Sequence, residues 1–125
     1  NFEEYITKNN IDTKLPLISD YNSVLVNISI KSVSKENHTV ELYAPVFAGR
    51  EYRFANPVED YHDSFVKCLK DAGSSNPFFS CNCILNYLYG DFEGKPTKPY
   101  AGPVTFGEVA YQLLNQTLVY AEIIE

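Results

Sequence analysis

Two segments near the N-terminus have a hydrophobic content that is typical of β-strands, and apolar and polar residues alternate in the first of them over residues 24–31. Residues 23–33 and 39–48 are both rich in Val, Ile, Leu and Tyr, and five polar residues separate them. Two such runs joined by a short polar segment predict an antiparallel hairpin. Pro45 has no backbone N–H, so we expect the second strand to lie at a sheet edge or to contain a bulge there.

The first twenty residues show weaker patterns. Phe2, Tyr5 and Ile6 have the spacing of one helical turn. Residues 15–18 place a proline among apolar residues, which predicts an extended arm.

A longer helix is predicted to begin at about residue 57. Asn56 can cap it, Pro57 suits the first turn and Glu59 completes a capping box, while Gly73 is a typical stop. We therefore expect Cys68 to lie on the buried face. That face carries the apolar residues Val58, Tyr61, Phe65, Cys68 and Leu69.

Residues 77–89 fit two different patterns. Asn-Pro at 76–77 is a helix-start signal and Gly90 can end a helix, yet the same residues also alternate as in a strand. We favour the helix. The choice matters because Cys81 and Cys83 share a face on a strand but point about 200° apart on a helix.

The C-terminal third begins with a long irregular loop, because residues 90–104 contain six Gly or Pro residues. Thr105 and Glu108 then have the spacing of a capping box, and the apolar residues that follow fall on one helical face. These features predict a helix from about residue 106. Residues 118–124 are rich in β-formers and predict a final strand.

The elements together predict the α+β class, with an N-terminal antiparallel hairpin or sheet packed against two or three helices. The chain has 125 residues, 45% hydrophobic and 21% charged, which is typical of a globular protein and excludes a disordered tail. We expect residues 1–125 to form a single extracellular domain. No apolar run approaches the roughly 18 residues of a membrane-spanning helix.

The balance of charge argues against nucleic acid as a partner. The formal net charge is -6, whereas nucleic-acid-binding proteins usually present a basic face.

Three Asn-x-Ser/Thr sequons point to the secretory pathway. Asn27 falls on the polar side of a predicted strand, Asn37 in a predicted turn, and Asn115 away from the apolar face of a predicted helix. We expect all three to be exposed and glycosylated. The chain also contains no methionine, which suggests that a signal peptide has been removed. The sequence thus predicts a secreted glycoprotein.

The three cysteines extend this interpretation. An odd number in a secreted chain suggests one internal disulfide and one thiol that is free or bonded to another chain. The expected bridge joins Cys68 to Cys81 or Cys83, because a bridge between Cys81 and Cys83 would close a strained ring.

No constellation of catalytic or metal-binding residues stands out. His38 and His62 are interpreted as surface histidines, and His62 lies on a different helical face from Cys68. Asp60, His62 and Asp63 are not expected to converge on an ion, because neighbours on a helix fan out by about 100°. We predict no cofactor, no metal site and no enzymatic activity of the chain on its own.

Aromatic residues supply the remaining candidate site. The chain has 10 Tyr and 8 Phe, and tyrosine suits wet interfaces and ligand pockets. If they are exposed together around the long loop, four of these side chains would form a contact patch; the alternative is that they fill the rim of a small core. The four are Tyr87, Tyr89, Phe92 and Tyr100.

The sequence therefore favours a secreted or ectodomain binding module. We expect a protein partner that is bound through surface contact, with the unpaired cysteine as a candidate disulfide link to it. Two alternatives stay open. The chain could be one part of a cleaved, disulfide-linked secretory or lysosomal precursor, or it could carry a small apolar ligand in an aromatic pocket.

Overall fold

A computed structural model describes residues 1–73, 76–110 and 112–124 of the chain. The fold is mixed α/β, and within these residues it contains three helices and several small, mainly antiparallel sheets. The chain divides into two compact units, Asn1–Pro57 and Val58–Glu125, called unit 1 and unit 2 below. The predicted packing of an N-terminal sheet against two or three helices stays a prediction.

The elements have the following bounds. The helices are α1 (Phe2–Lys8), α2 (Tyr61–Asp71) and α3 (Ile84–Tyr89). The strands are β1 (Leu17–Asp20), β2 (Leu25–Ile28), β3 (Ile30–Ser34), β4 (Thr39–Leu42), β5 (Arg53–Phe54), β6 (Phe79–Cys83), β7 (Val104–Thr105), β8 (Glu108–Ala110), β9 (Gln112–Leu114) and β10 (Leu118–Ala121). None of the helices in the described ranges is long and apolar enough to cross a membrane.

Unit 1 begins with the predicted helical turn, which extends over α1. Its start is closed by a capping box, in which the Asn1 side chain accepts a hydrogen bond from the Glu4 backbone N–H and the Glu4 side chain bonds back to the Asn1 backbone. The extended arm becomes β1, the central strand of an antiparallel sheet in the order β2-β1-β5.

The predicted N-terminal hairpin is confirmed in part. β3 and β4 pair antiparallel, with a register shift between Ile30 and Ser32. The first predicted strand is divided at Ser29, however, and its earlier half pairs with β1 instead. The second strand ends at Leu42, so Pro45 lies outside it. The inward alternation holds from Val26 onward, and the buried apolar residues of unit 1 include Ile6, Leu17, Val26, Ile28 and Ile30.

The long helix of unit 2 is confirmed, but its predicted start is wrong. Asp60 is the N-cap and its side chain accepts from the Asp63 backbone N–H at 2.8 Å, so α2 begins one turn later than the Asn56 cap would place it. Asp is as good a cap as Asn, which is why the sequence alone did not separate them. The predicted stop is confirmed, because Gly73 has a φ of +74° that glycine adopts without strain.

Both patterns seen in residues 77–89 are used, one after the other. Strand β6 pairs antiparallel with β10 and parallel with β7, and α3 follows it directly. The helix preferred for the whole segment is therefore wrong for its first half. Both Cys81 and Cys83 lie on the strand.

The helix predicted from residue 106 is wrong. Residues 108–110 and 112–114 form a short antiparallel pair, β8 and β9, in which Glu108 faces Leu114 and Val109 faces Leu113. Gly107 has a φ of +151°, which is incompatible with a helix. The predicted final strand is confirmed as β10.

Candidate functional site

Unit 1 contains an open, largely apolar groove of about 1020 Å³. Such volumes are typical of sites for small organic ligands, which are commonly lined by aromatic and aliphatic side chains with few polar groups. The residues that line it are Phe2, Tyr5, Leu17, Val40, Leu42, Val46, Phe47, Ala48, Gly49, Arg50, Tyr52, Arg53 and Phe54.

Three kinds of element build the groove wall. Helix α1 contributes Phe2 and Tyr5, one helical turn apart, and the Phe2 ring stacks on Phe54 of β5 with 6.1 Å between ring centroids. Strand β4 contributes alternate residues, Val40 and Leu42, which point to the same side of a strand. The remaining wall is the segment between β4 and β5, together with Leu17 of β1 and the two residues of β5.

Hydrogen bonds hold that segment in place. The Phe47 backbone N–H donates to the Tyr52 hydroxyl at 3.1 Å, and the hydroxyls of Tyr52 and Tyr21 lie 3.0 Å apart. The hydrogen bond with Tyr52 raises the pKa of Tyr21, with burial contributing less, so Tyr21 stays neutral at physiological pH. Phe47 is nevertheless 49% exposed, so its ring is available to a ligand.

The groove is positively charged although the protein is acidic. The Arg50 guanidinium lies 4.3 Å from the centre of the Tyr21 ring and donates to the Asp20 carbonyl at 3.2 Å. Within the described residues neither Arg50 nor Arg53 is within 4.0 Å of a carboxylate, and the groove lining contains no acidic side chain. The lining can therefore receive an anionic group.

Unit 2 contains a different kind of centre, a cluster of buried polar groups around Glu108. This side chain is 2% exposed, and its two carboxylate oxygens accept from the hydroxyls of Thr105 at 2.7 Å and Thr117 at 2.8 Å. Burial raises the pKa of Glu108, while the two threonine hydrogen bonds oppose that shift. Burial, with a smaller contribution from Glu108, also raises the pKa of the Cys81 thiol.

A second part of this cluster connects three amide side chains and a tyrosine. The Tyr61 hydroxyl donates to Asn86 Oδ1 at 2.6 Å, and Asn86 Nδ2 donates to Asn82 Oδ1 at 2.9 Å. Gln116 bonds to the Tyr61 oxygen. Burial raises the pKa of Tyr61 to about 12, so its hydroxyl remains a donor.

Comparison with protein families matches residues 1–124 to the model of a family of unknown function, DUF6976. The chain belongs to this family. No curated protein and no solved structure matches the chain. The match to DUF6976 covers both the groove and the buried polar cluster.

The predicted aromatic patch is not a surface patch in this DUF6976 protein. Phe92 and Tyr100 are each 2% exposed, and Tyr87 and Tyr89 are half-buried. Phe92 packs against His62 and Phe65, with ring centroids 4.8 and 5.2 Å apart. The alternative interpretation, aromatic residues filling a small core, describes these side chains better.

The three cysteines are not bonded to one another. Cys68 is exposed, Cys81 is half-buried and Cys83 is fully buried, and all three are free thiols in the structure. The expectation that Cys68 lies on a buried face is wrong, because no residue of α2 is fully buried. The predicted bridge from Cys68 to Cys81 or Cys83 is thus not formed here.

The three sequons differ in exposure. Asn37 is exposed, and Asn27 in β2 is half-buried. Asn115 is only 1% exposed, so the expectation that it faces solvent is wrong. The cause is the missing helix, since Asn115 follows β9 and its amide lies beside Gly107.

The structure also corrects the treatment of Asp60, His62 and Asp63. One ligand atom from each lies within 4.8 Å of the others, because Asp60 is the N-cap rather than a helical residue. These atoms already bond within the helix start. Asp60 caps the Asp63 N–H, and His62 Nδ1 lies 3.2 Å from an Asp63 oxygen. The capping geometry accounts for the cluster without an ion.

Sequence reasoning missed both the groove and the buried cluster. The Thr105–Glu108 spacing did signal a real hydrogen bond, but it was interpreted as a helix cap. The groove left no short motif, since its residues come from α1, β1, β4, β5 and a connecting segment.

Proposed function

We propose that this protein is a binding module whose unit 1 groove holds an amphipathic small molecule, an unbranched apolar chain that ends in an anionic group. The observation that carries the proposal is the apolar groove of about 1020 Å³ with two arginines and no acid in its lining. This function develops the apolar-ligand alternative that the sequence left open.

The apolar wall would supply most of the affinity. Burial of apolar surface contributes about 25 cal/mol per Å², so covering side chains such as Phe47 and Val46, which are now about half exposed, favours an apolar ligand chain. The groove is open to solvent and its lining extends from α1 to β5, so an extended chain could contact residues from several elements at once.

The arginines would select the anionic end. A guanidinium binds a carboxylate through two parallel hydrogen bonds, and neither Arg50 nor Arg53 uses its charge on a carboxylate of the described residues. Tyr21 lies under Arg50 and holds that guanidinium in position.

The residues that line the unit 1 groove suit a binding function better than a catalytic one. Its described side chains include no serine, threonine, cysteine, histidine or carboxylate that could serve as nucleophile or general base.

Titration calorimetry with dodecanoate tests the proposal. We expect dodecanoate to bind and dodecyltrimethylammonium, which has the same chain and the opposite charge, to bind at least about tenfold more weakly. Arg53→Gln should weaken dodecanoate binding several-fold, and Phe47→Ala about tenfold. Lys8→Gln removes a positive charge from unit 1 outside the groove lining and serves as the control. Failure of both ligands to bind, or equal affinities, would contradict the proposal.

We also propose a protein partner in the secretory pathway, as the sequence predicts. Support comes from Phe106, just before β8, and Val109 within it, which are large apolar side chains that are mostly exposed, and from the exposed Cys68 thiol. Asn27 and Asn37 are the sequons with exposed surface, whereas the buried Asn115 has no room for a glycan in the folded protein.

The intact mass of native material tests this second proposal. Removal of glycans and reduction of disulfides should each lower the mass, and a companion chain should appear on reduction. The same mass under all conditions would count against both glycosylation and a disulfide-linked partner.

A further inference from the structure

We propose that unit 2 contains a second, independent binding site, a cavity of about 300 Å³ that takes a small carboxylate through Ser80 and Asn82. The cavity lies between β6 and the loop that follows α3, and both residues line it. It differs from the unit 1 groove in location, size and chemistry, so it does not depend on the function proposed for that groove.

Two buried polar side chains line this cavity, and each has a hydrogen-bond donor without a partner in the described residues. Ser80 is 2% exposed and Asn82 is 8% exposed, and within the described residues neither the Ser80 hydroxyl nor the Asn82 Nδ2 group makes a hydrogen bond. No fully enclosed side-chain N or O atom of the described part is left unbonded. These two groups must therefore be reached from the cavity that they line.

A hydrogen bond fixes the side-chain amide of Asn82 so that its NH₂ group remains available to the cavity. Tyr61 donates to Asn86 Oδ1, which leaves Asn86 Nδ2 to donate to Asn82 Oδ1. The Asn82 oxygen is thereby occupied and its NH₂ group remains. Because burial keeps the Tyr61 hydroxyl protonated, with a pKa of about 12, the direction of this chain is fixed at physiological pH.

Charge around the cavity favours an anion. Lys95 and Lys98 line it, and none of its described lining residues is acidic. Lys95 lies 3.3 Å from Asp91, but both side chains are largely exposed, so that ion pair competes weakly with a ligand. A carboxylate can accept from the Ser80 hydroxyl and the Asn82 amide, while a ligand with an ammonium group would find no carboxylate partner among the described lining residues.

The size of the cavity limits the ligand. A volume of about 300 Å³ corresponds to roughly ten waters at about 30 Å³ each, which fits a carboxylate with a short or single-ring apolar part. The rings of Tyr87, Phe92 and Tyr100 form the apolar wall. Gly102 keeps the space beside Ser80 open, because a Cβ at this position would overlap the Ser80 carbonyl.

Nuclear magnetic resonance on the full chain tests the site with benzoate as the probe. We expect benzoate to shift the side-chain amide signals of Asn82 in a saturable way and to leave those of the exposed Asn37 unchanged. Benzamide, a neutral molecule of the same shape, should bind at least about tenfold more weakly, because it lacks the charge that strengthens each hydrogen bond. Benzylammonium should not bind.

Variants separate the site from a general effect of charge. Asn82→Asp keeps the shape and the acceptor for Asn86 but places a negative charge in the cavity, so benzoate affinity should fall at least about tenfold. Lys98→Gln should lower it several-fold, and Lys67→Gln on the exposed face of α2 should leave it unchanged. Circular dichroism checks that each variant folds.

Three results would overturn the proposal. They are equal binding of benzoate and benzamide, an equal effect of Lys67→Gln and Lys98→Gln, and an Asn82 signal in the wild-type protein that does not respond to benzoate. The last requires no variant, so the proposal can fail even if Asn82→Asp does not fold. Dodecanoate binding in unit 1 is measured separately, and either result leaves the other proposal intact.

Discussion

The unit 1 groove and the unit 2 cavity are built on opposite physical principles. The groove has about 1020 Å³ of open space and walls of apolar side chains that are partly exposed, with arginines among them. The cavity has about 300 Å³ and presents buried polar groups whose orientation is fixed by a chain of hydrogen bonds. Apolar burial is non-directional and hydrogen bonds are directional, so we expect the groove to be permissive and the cavity to be selective.

Two buried carboxylates, one in each unit, have pKa values that are shifted in opposite directions. Glu3 in α1 accepts from Thr7 and bonds to His38 at 3.1 Å, and the His38 hydrogen bond is the largest of the effects that lower the Glu3 pKa. The Glu108 side chain accepts from two neutral hydroxyls, and burial raises its pKa. The hydrogen bond with His38 thus lowers the pKa of Glu3, whereas burial raises the pKa of the chemically identical Glu108 side chain.

The largest expected difference between the regions concerns two phenylalanines. Phe92→Ala in unit 2 should lower the free energy of unfolding by about 3–5 kcal/mol, because it removes a buried ring and leaves a cavity. Phe47→Ala in the groove should cost less than about 1 kcal/mol, since that ring is half exposed. Urea unfolding measures both. Similar costs would mean that the groove wall is part of a core.

Removing a tyrosine hydroxyl in each unit should give the next largest difference in the free energy of unfolding. Tyr61→Phe removes the hydroxyl that donates to Asn86, which should lower the free energy of unfolding by about 1–3 kcal/mol because a buried acceptor loses its partner. The same variant should loosen the Asn82 amide and weaken benzoate binding. Tyr5→Phe is the matched change in the groove, where the side chain is largely exposed, and it should be nearly neutral. A neutral Tyr61→Phe would remove the argument for a fixed amide orientation.

The smallest effect is a difference in pH dependence. The Glu3 pKa is lowered from 4.5, so its stabilising contribution is present above that pH and is lost as the pH falls through the folded value. The Glu108 pKa is raised from 4.5, so its contribution is present below that pH and is lost as the pH rises through the folded value. Removing each group should therefore change the pH profile in opposite ways.

Urea unfolding of Glu3→Gln and Glu108→Gln between pH 3 and 7 checks this expectation. Relative to wild type, Glu3→Gln should be least stable near neutral pH, while Glu108→Gln should be relatively more stable there than at low pH. Glu93→Gln, at an exposed position in unit 2, is the control for a lost surface charge. Parallel profiles for the first two variants would contradict the opposite shifts.

Local sequence patterns were sufficient to identify an element where the spacing of residues within that element alone favoured one type of secondary structure. The alternation over residues 24–31 identified inward positions correctly at Val26, Ile28 and Ile30, although Val24 is exposed. The helical periodicity of residues 58–69 identified α2 but not its start. They were insufficient where two local solutions were equally good. Asn56 and Asp60 are both good caps, and Asp60 is the N-cap of α2. Residues 77–89 fit strand and helix alike, and there the pairing of β6 with β7 and β10 makes the first half a strand.

The candidate sites were the least predictable part. Neither the groove nor the cavity is a motif, because each gathers residues that are distant in sequence. The expected exposure of the contact patch is wrong for the same reason. The sequence shows that Phe92 and Tyr100 are aromatic, and only packing decides that they are buried.

By itself the sequence determined the mixed class, α1, the β3–β4 hairpin, α2 and the final strand, because short-range spacing, caps and turn residues act within a few positions. The tertiary structure decided the conformation of residues 105–110 and 112–117. Thr105 and Glu108 do bond, but side chain to side chain rather than side chain to backbone as in a capping box, and the second Glu108 oxygen accepts from Thr117, nine residues on. A buried carboxylate needs donors for both oxygens, and here one of them comes from a residue beyond the β8–β9 pair.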